Sequence, residues 1–185
     1  KLLIGLLELG LRFHEVIQHV IERIGETFVF VTGFNGAANI IIAFGDIIDN
    51  VTGKIIVGAR TAEKNLEFAS TVNSIKQGYV KKKFGIVNTK LGVVATNARF
   101  NKREITKVAQ MAQGGLIKTI SPVHTTFDGD LVFGLSVGTV EADINKVGVL
   151  GEFVITEAIK RAVKKADGFG IIPAFKDITK GWKTT

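Results

Sequence analysis

The chain has 185 residues, 46% apolar and 22% charged, with 21 Gly, 2 Pro, no Cys and a formal net charge of +7. That balance suits one globular domain with its own core and excludes a disordered chain. Without cysteine there are no disulfides, thiol chemistry or cysteine-bound metals. Three histidines, with His14 and His19 five apart, give no helix-facing zinc pair, so neither metal nor cofactor is expected. The basic residues are scattered. Their densest run, Lys81-Lys82-Lys83, reads as a solvated loop with no aromatic side chains interleaved, and no nucleic-acid partner is expected. The opening run Leu2 to Leu7 is short and meets Glu8, so it reads as neither a signal core nor a membrane span. A cytoplasmic protein without membrane contact is the expectation.

Residues 11–24 place Leu11, Phe13, Val16, Ile17, Val20, Ile21 and Ile24 at helical spacing. Thr27 to Thr32 is apolar and β-branched and predicts a strand. Ala37 to Ile48 is nearly all apolar and predicts a strand covered on both faces. Asp49-Asn50 and Thr52-Gly53 mark a turn before a short strand, Lys54 to Val57, which together suggest a hairpin. Arg60 to Lys83 is more polar and predicts a short helix followed by an exposed connector.

Lys90 to Thr96 reads as a second buried strand. Lys102 to Ile117 predicts one helix, with Asn101 as cap, Glu104 completing a capping box, and Gly114-Gly115 weakening its end. Leu131 to Val137 predicts a strand opened by Asp130. Val147 to Lys165 predicts a long helix ended by Asp167-Gly168. Hairpin signals mixed with amphipathic helices point to an α+β layered domain, with a doubly wound sheet as the alternative.

Two places carry candidate chemistry. The first is Asn88-Thr89, where a basic connector meets a hydrophobic strand. A mid-chain threonine hydroxyl is a poor nucleophile. It becomes a good one when the chain is cut before it, because the new α-amine serves as its base. The second is Asp128-Gly129-Asp130. Asp-Gly before a strand is ordinarily a turn. Two neighbouring carboxylates also suit orientation of a hydroxyl and its ammonium, and burying both raises one pKa. The preceding loop, Ser121 to Phe127, is rich in hydroxyl donors. Its His124 reads as a loop hydrogen-bonder with a possible supporting role. No GxGxxG, Walker, Gly-x-Ser-x-Gly or HExxH pattern occurs.

The stretches NTKLGVVATNARFNKREITKVAQMAQGGL (from Asn88) and ISPVHTTFDGDLVFGLSVG (from Ile120) resemble the self-processing L-aminopeptidase/D-esterase family. That family includes β-peptidyl aminopeptidases and 6-aminohexanoate oligomer hydrolases. AFGDIIDNVTGKIIVGAR, Ala43 to Arg60, and GEFVITEAIKRAVKKA, Gly151 to Ala166, are similar to it as well. The resemblance implies a four-layer αββα sandwich of the aminopeptidase/ornithine-acetyltransferase-like type. It implies a single domain over residues 1–185 that divides into an α part, 1–88, and a β part, 89–185. The cut then lies between Asn88 and Thr89, with Thr89 as nucleophile and Asp128 and Asp130 supporting it. Implied substrates are small peptides or aminoacyl amides and esters, and the implied assembly is a homo-oligomer of αβ units.

One departure bears on the site. Where the family usually ends the strand before Ala-Phe-Gly in a site Asn, this chain has Ile42, and the nearest Asn is Asn39, three residues earlier. A three-residue offset points to the opposite face of a strand. Asn39 is therefore only a possible supporting residue. A non-catalytic scaffold or small-molecule-binding homologue is the alternative function.

Overall fold

The computed structural model describes residues 29–33, 45–61, 66–78, 90–166 and 173–179. The helix expected over 11–24 and most of the apolar run from Ala37 lie outside the described residues. So do Asn39, Ile42, Asn88 and Thr89.

Two three-stranded sheets are present. In the first, the order is β1 (Val29–Gly33), β4 (Leu91–Ala98), β6 (Leu131–Val140); in the second, β3 (Ile55–Val57), β2 (Asp46–Ile48), β5 (Ile120–Ser121). β1 runs antiparallel to β4, while β4 and β6 are parallel, with Leu91 opposite Leu131 and Gly92 opposite Val132. Two separate sheets, the second antiparallel throughout, do not fit the doubly wound alternative, which needs one mostly parallel sheet.

The β2–β3 hairpin forms as the turn residues predict. Asp49 Oδ1 accepts from the N–H groups of Val51 (3.0 Å) and Thr52 (2.8 Å), closing an Asx turn, and Gly53 supplies the positive φ of 69°. A short helix, α1 (Thr71–Lys76), follows. The buried Asp46 carboxylate takes both the N–H and the hydroxyl of Thr71, each at 2.7 Å, and so ties the start of α1 to β2.

A parallel pair needs a long crossover. Here it holds α2 (Lys102–Ala112), α3 (Gly114–Thr119) and β5. The capping box is present: Asn101 Oδ1 accepts from Arg103 N (2.9 Å) and Glu104 N (3.1 Å), and Glu104 Oε2 accepts from Asn101 N (2.8 Å). The single helix expected over Lys102 to Ile117 is instead two, and Gly114-Gly115 opens the second rather than fraying the first. The reason is steric. A Cβ on Gly115 would come within 2.7 Å of the Glu152 carbonyl oxygen and of Ile155. Glycine therefore lets α3 approach the long helix α4 (Ile144–Lys165), which Asp143 caps at Lys146 N (2.8 Å). A final short helix, α5 (Phe175–Thr179), packs near α4.

Helices α2 and α4 cover one face of the first sheet. Val94, Ala98, Val108, Ala112 and Val147 form the fully buried centre between them. Alternation puts Leu91, Leu131, Phe133, Leu135 and Val137 on the other face, where they are 36–48% exposed. An apolar sheet face opposite a helix layer is the signature of an α+β sandwich, the fold class read from the sequence.

Candidate active site

The candidate site forms because β4 and β6 are parallel. Leu91 pairs with Leu131, so the residues one step upstream, Lys90 and Asp130, sit side by side where the two strands begin. Leu131 N donates to the Lys90 carbonyl at 3.0 Å and closes the ladder at that end. Lys90 N in turn donates to Asp130 Oδ1 at 3.1 Å.

The Lys90 ammonium lies between the two aspartates. It is 2.8 Å from Asp128 Oδ1, 3.0 Å from Asp130 Oδ1 and 2.9 Å from Asp130 Oδ2. The carboxylate side chains are 0% and 1% exposed, and the Lys90 side chain 12%. A lysine has three N–H donors, and three carboxylate oxygens receive them.

Asp128 is placed by its own loop. Its N–H donates to the Thr125 carbonyl at 3.0 Å, forming a turn. Its Oδ2 accepts from the Thr125 hydroxyl (2.8 Å) and main-chain N–H (3.2 Å). The hydroxyl-rich loop thus contributes Thr125, which locks the carboxylate from the side opposite Lys90.

Two neighbouring buried carboxylates are expected to push one pKa up. The opposite holds for Asp128. Burial opposes its ionisation, but hydrogen bonds from Lys90 and Thr125 and the charge on Lys90 outweigh burial and hold the carboxyl below its ordinary value.

The structure brings together Asp128 and Asp130. Thr89 and Asn88 precede this cluster directly in sequence but lie outside the described residues, as does Asn39. His124 sits exposed in the loop before Asp128, at a left-handed φ of 55°. Lys90 is the member of the cluster that sequence reasoning passed over. As one more lysine at a strand start it carries no signal; only the parallel register reveals its partners. Among the described residues, no three His, Cys, Asp or Glu side chains gather as metal ligands. Nor, among them, is any helix long and apolar enough to cross a membrane.

The sequence profile of peptidase family S58 matches residues 35–170, a span that takes in both Asn88-Thr89 and the aspartate pair. An uncharacterized aminopeptidase of Mycobacterium leprae is 32% identical over 155 residues, covering 76% of this chain and 43% of that protein. Uncharacterized aminopeptidases of Mycobacterium bovis and Mycobacterium tuberculosis are each 25% identical over 165 residues, covering 79% of this chain and 48% of theirs. The chain therefore spans a little under half the length of these relatives.

Proposed function

We propose, from the premise that this chain belongs to peptidase family S58, that it is a self-processing hydrolase with Thr89 as its nucleophile. Its bond is an amide or ester in a small peptide or aminoacyl substrate. The observation that carries this is the anchoring of Lys90: the residue bonded to Thr89 is held by its N–H, its carbonyl and its ammonium in a buried charged cluster. Catalysis by an attached nucleophile gains from so fixed a neighbouring point.

In the processing step, the Thr89 hydroxyl attacks the Asn88 carbonyl carbon, the C–N bond breaks, and the hydroxyl proton passes to the departing nitrogen, which becomes the Thr89 α-amine. Water then hydrolyses the resulting ester, freeing the Asn88 carboxylate and the Thr89 hydroxyl. In turnover, the same hydroxyl attacks the substrate carbonyl and the Thr89 α-amine takes the proton. The leaving group takes that proton as it departs, and water adds to the acyl-enzyme, releasing the acid and restoring the Thr89 hydroxyl. Asp128 and Asp130 contribute by holding Lys90, and through it the start of β4.

This reading divides the chain into 1–88 and 89–185. Intact mass and N-terminal sequencing of the purified chain test it: two polypeptides are expected, the second beginning at Thr89. One uncut species after long incubation overturns it. That outcome favours a non-catalytic scaffold or small-molecule-binding homologue, for which Ile42 in place of the family's site Asn already speaks. A homo-oligomer of αβ units is part of the same proposal, and sedimentation of the processed protein measures it.

A further inference from the structure

We propose that Lys90 decides what the site accepts, by filling the seat that a substrate ammonium would otherwise take between Asp128 and Asp130. The inference rests on the reading that this cluster flanks the nucleophile. A pair of carboxylates beside a hydrolytic centre suggests a receptor for a free amino terminus. The hydrogen bonds exclude that here. Asp128 Oδ1 is taken by the Lys90 ammonium, and Oδ2 by the hydroxyl and N–H of Thr125. Asp130 Oδ1 is taken by the N–H and ammonium of Lys90, and Oδ2 by the ammonium again.

All four oxygens are therefore engaged, and both side chains are closed to solvent. An incoming ammonium would have to expel a tethered one. The tethered group has the advantage of effective concentration, because its attachment to β4 removes the entropy cost of bringing it in. The acyl donor is consequently received without a charge contact to this pair. Any preference for a free α-amine draws nothing from this pair, and Lys90 acts as a specificity-determining residue through the carboxylates it occupies.

The test uses the full chain and its Lys90→Ala variant, with alanyl p-nitroanilide and propionyl p-nitroanilide, which differ in the α-amine. Relative to the native chain, Lys90→Ala should move the ratio of the two kcat/KM values by about tenfold or more toward the alanyl compound. A second arm needs no activity. Propylammonium chloride at about 100 mM, against sodium chloride of equal ionic strength, should raise the Tm of Lys90→Ala by about 3 °C and leave the native chain unmoved. If Lys90→Ala does not fold in buffer alone, its refolding yield with propylammonium replaces the Tm, with 1-propanol as the neutral control.

A ratio of the two kcat/KM values that Lys90→Ala moves by less than about threefold overturns the proposal. So does a Lys90→Ala chain that propylammonium neither stabilises nor helps to refold. Absence of both anilide cleavage and the cut at Asn88-Thr89 removes the catalytic reading instead, and the propylammonium arm then decides alone whether Lys90 holds the seat.

Discussion

Lys90 binds a single oxygen of Asp130 through two of its hydrogens, the main-chain N–H at 3.1 Å and the ammonium at 3.0 Å. Backbone and side chain of one residue are thus referred to the same atom. Movement of Asp130 displaces both, and with them the point to which Thr89 is attached.

Asp130→Asn keeps an oxygen for the Lys90 N–H but removes a charge beside a buried ammonium. It should cost about 1–3 kcal/mol in urea denaturation and slow the cut at Asn88-Thr89. Thr125→Val, which leaves Asp128 the Thr125 N–H and all of Lys90, should cost about 1 kcal/mol. The order of the two losses is the discriminating measurement.

Thr89→Ala should leave one uncut chain and lower hydrolysis of alanyl p-nitroanilide by about a thousandfold or more. Intact mass and progress curves measure both. Hydrolysis unchanged in this variant would place the chemistry elsewhere.

The lowered Asp128 pKa fixes the sign of an acid effect. A depressed carboxyl contributes stability that is fully present above its unfolded value, about 3.9, and is lost as pH falls through the lower folded value. Denaturation midpoints should hold from this source between neutrality and about pH 5, then fall. Asp128→Asn should be less stable at neutral pH and show a shallower acid loss. Asp49, lowered chiefly by the N–H of Thr52 and then that of Val51, acts with the same sign, so the slope should flatten in the variant without vanishing.

Gly115→Ala sets two principles against each other. Helix propensity favours alanine by about 1 kcal/mol. The new Cβ, however, meets the Glu152 carbonyl oxygen and Ile155 at 2.7 Å, where backbone has to move. Packing should win, with a net loss of about 1–3 kcal/mol in urea.

Asn101→Ala removes the acceptor for Arg103 N and Glu104 N and should cost about 1 kcal/mol. It lies on the solvent side of α2, so the cut at Asn88-Thr89 should proceed at its native rate. A changed rate would show that the site senses α2.

These contrasts show what could be read in advance. Local chemistry was legible: the Asn101–Glu104 box and the Asp49 turn with Gly53 each act within a few residues, whereas Val149 and Phe153, apolar residues of α4, turn out 60% and 59% exposed. Asp128 and Asp130 were legible as a pair, since Asp-Gly-Asp places two carboxylates together on any fold. What they bind was not. Lys90 lies 40 residues from Asp130 and 38 from Asp128, and nothing local marks it as their partner. The Gly114-Gly115 break was visible but misread, because its cause is the approach of α4 rather than any property of the helix it interrupts.

That separation also sets a clock. Lys90 cannot meet its aspartates until the whole crossover of α2, α3 and β5 has been laid down and β6 has docked beside β4, among the slowest kinds of contact a chain makes. On the proposed reading, the cut at Asn88-Thr89 waits for the β4–β6 pairing to form. On that reading the severed bond is a permanent record that this pairing has formed, and chains lacking it are spared from breaking at a point where neither fragment has a partner to hold it.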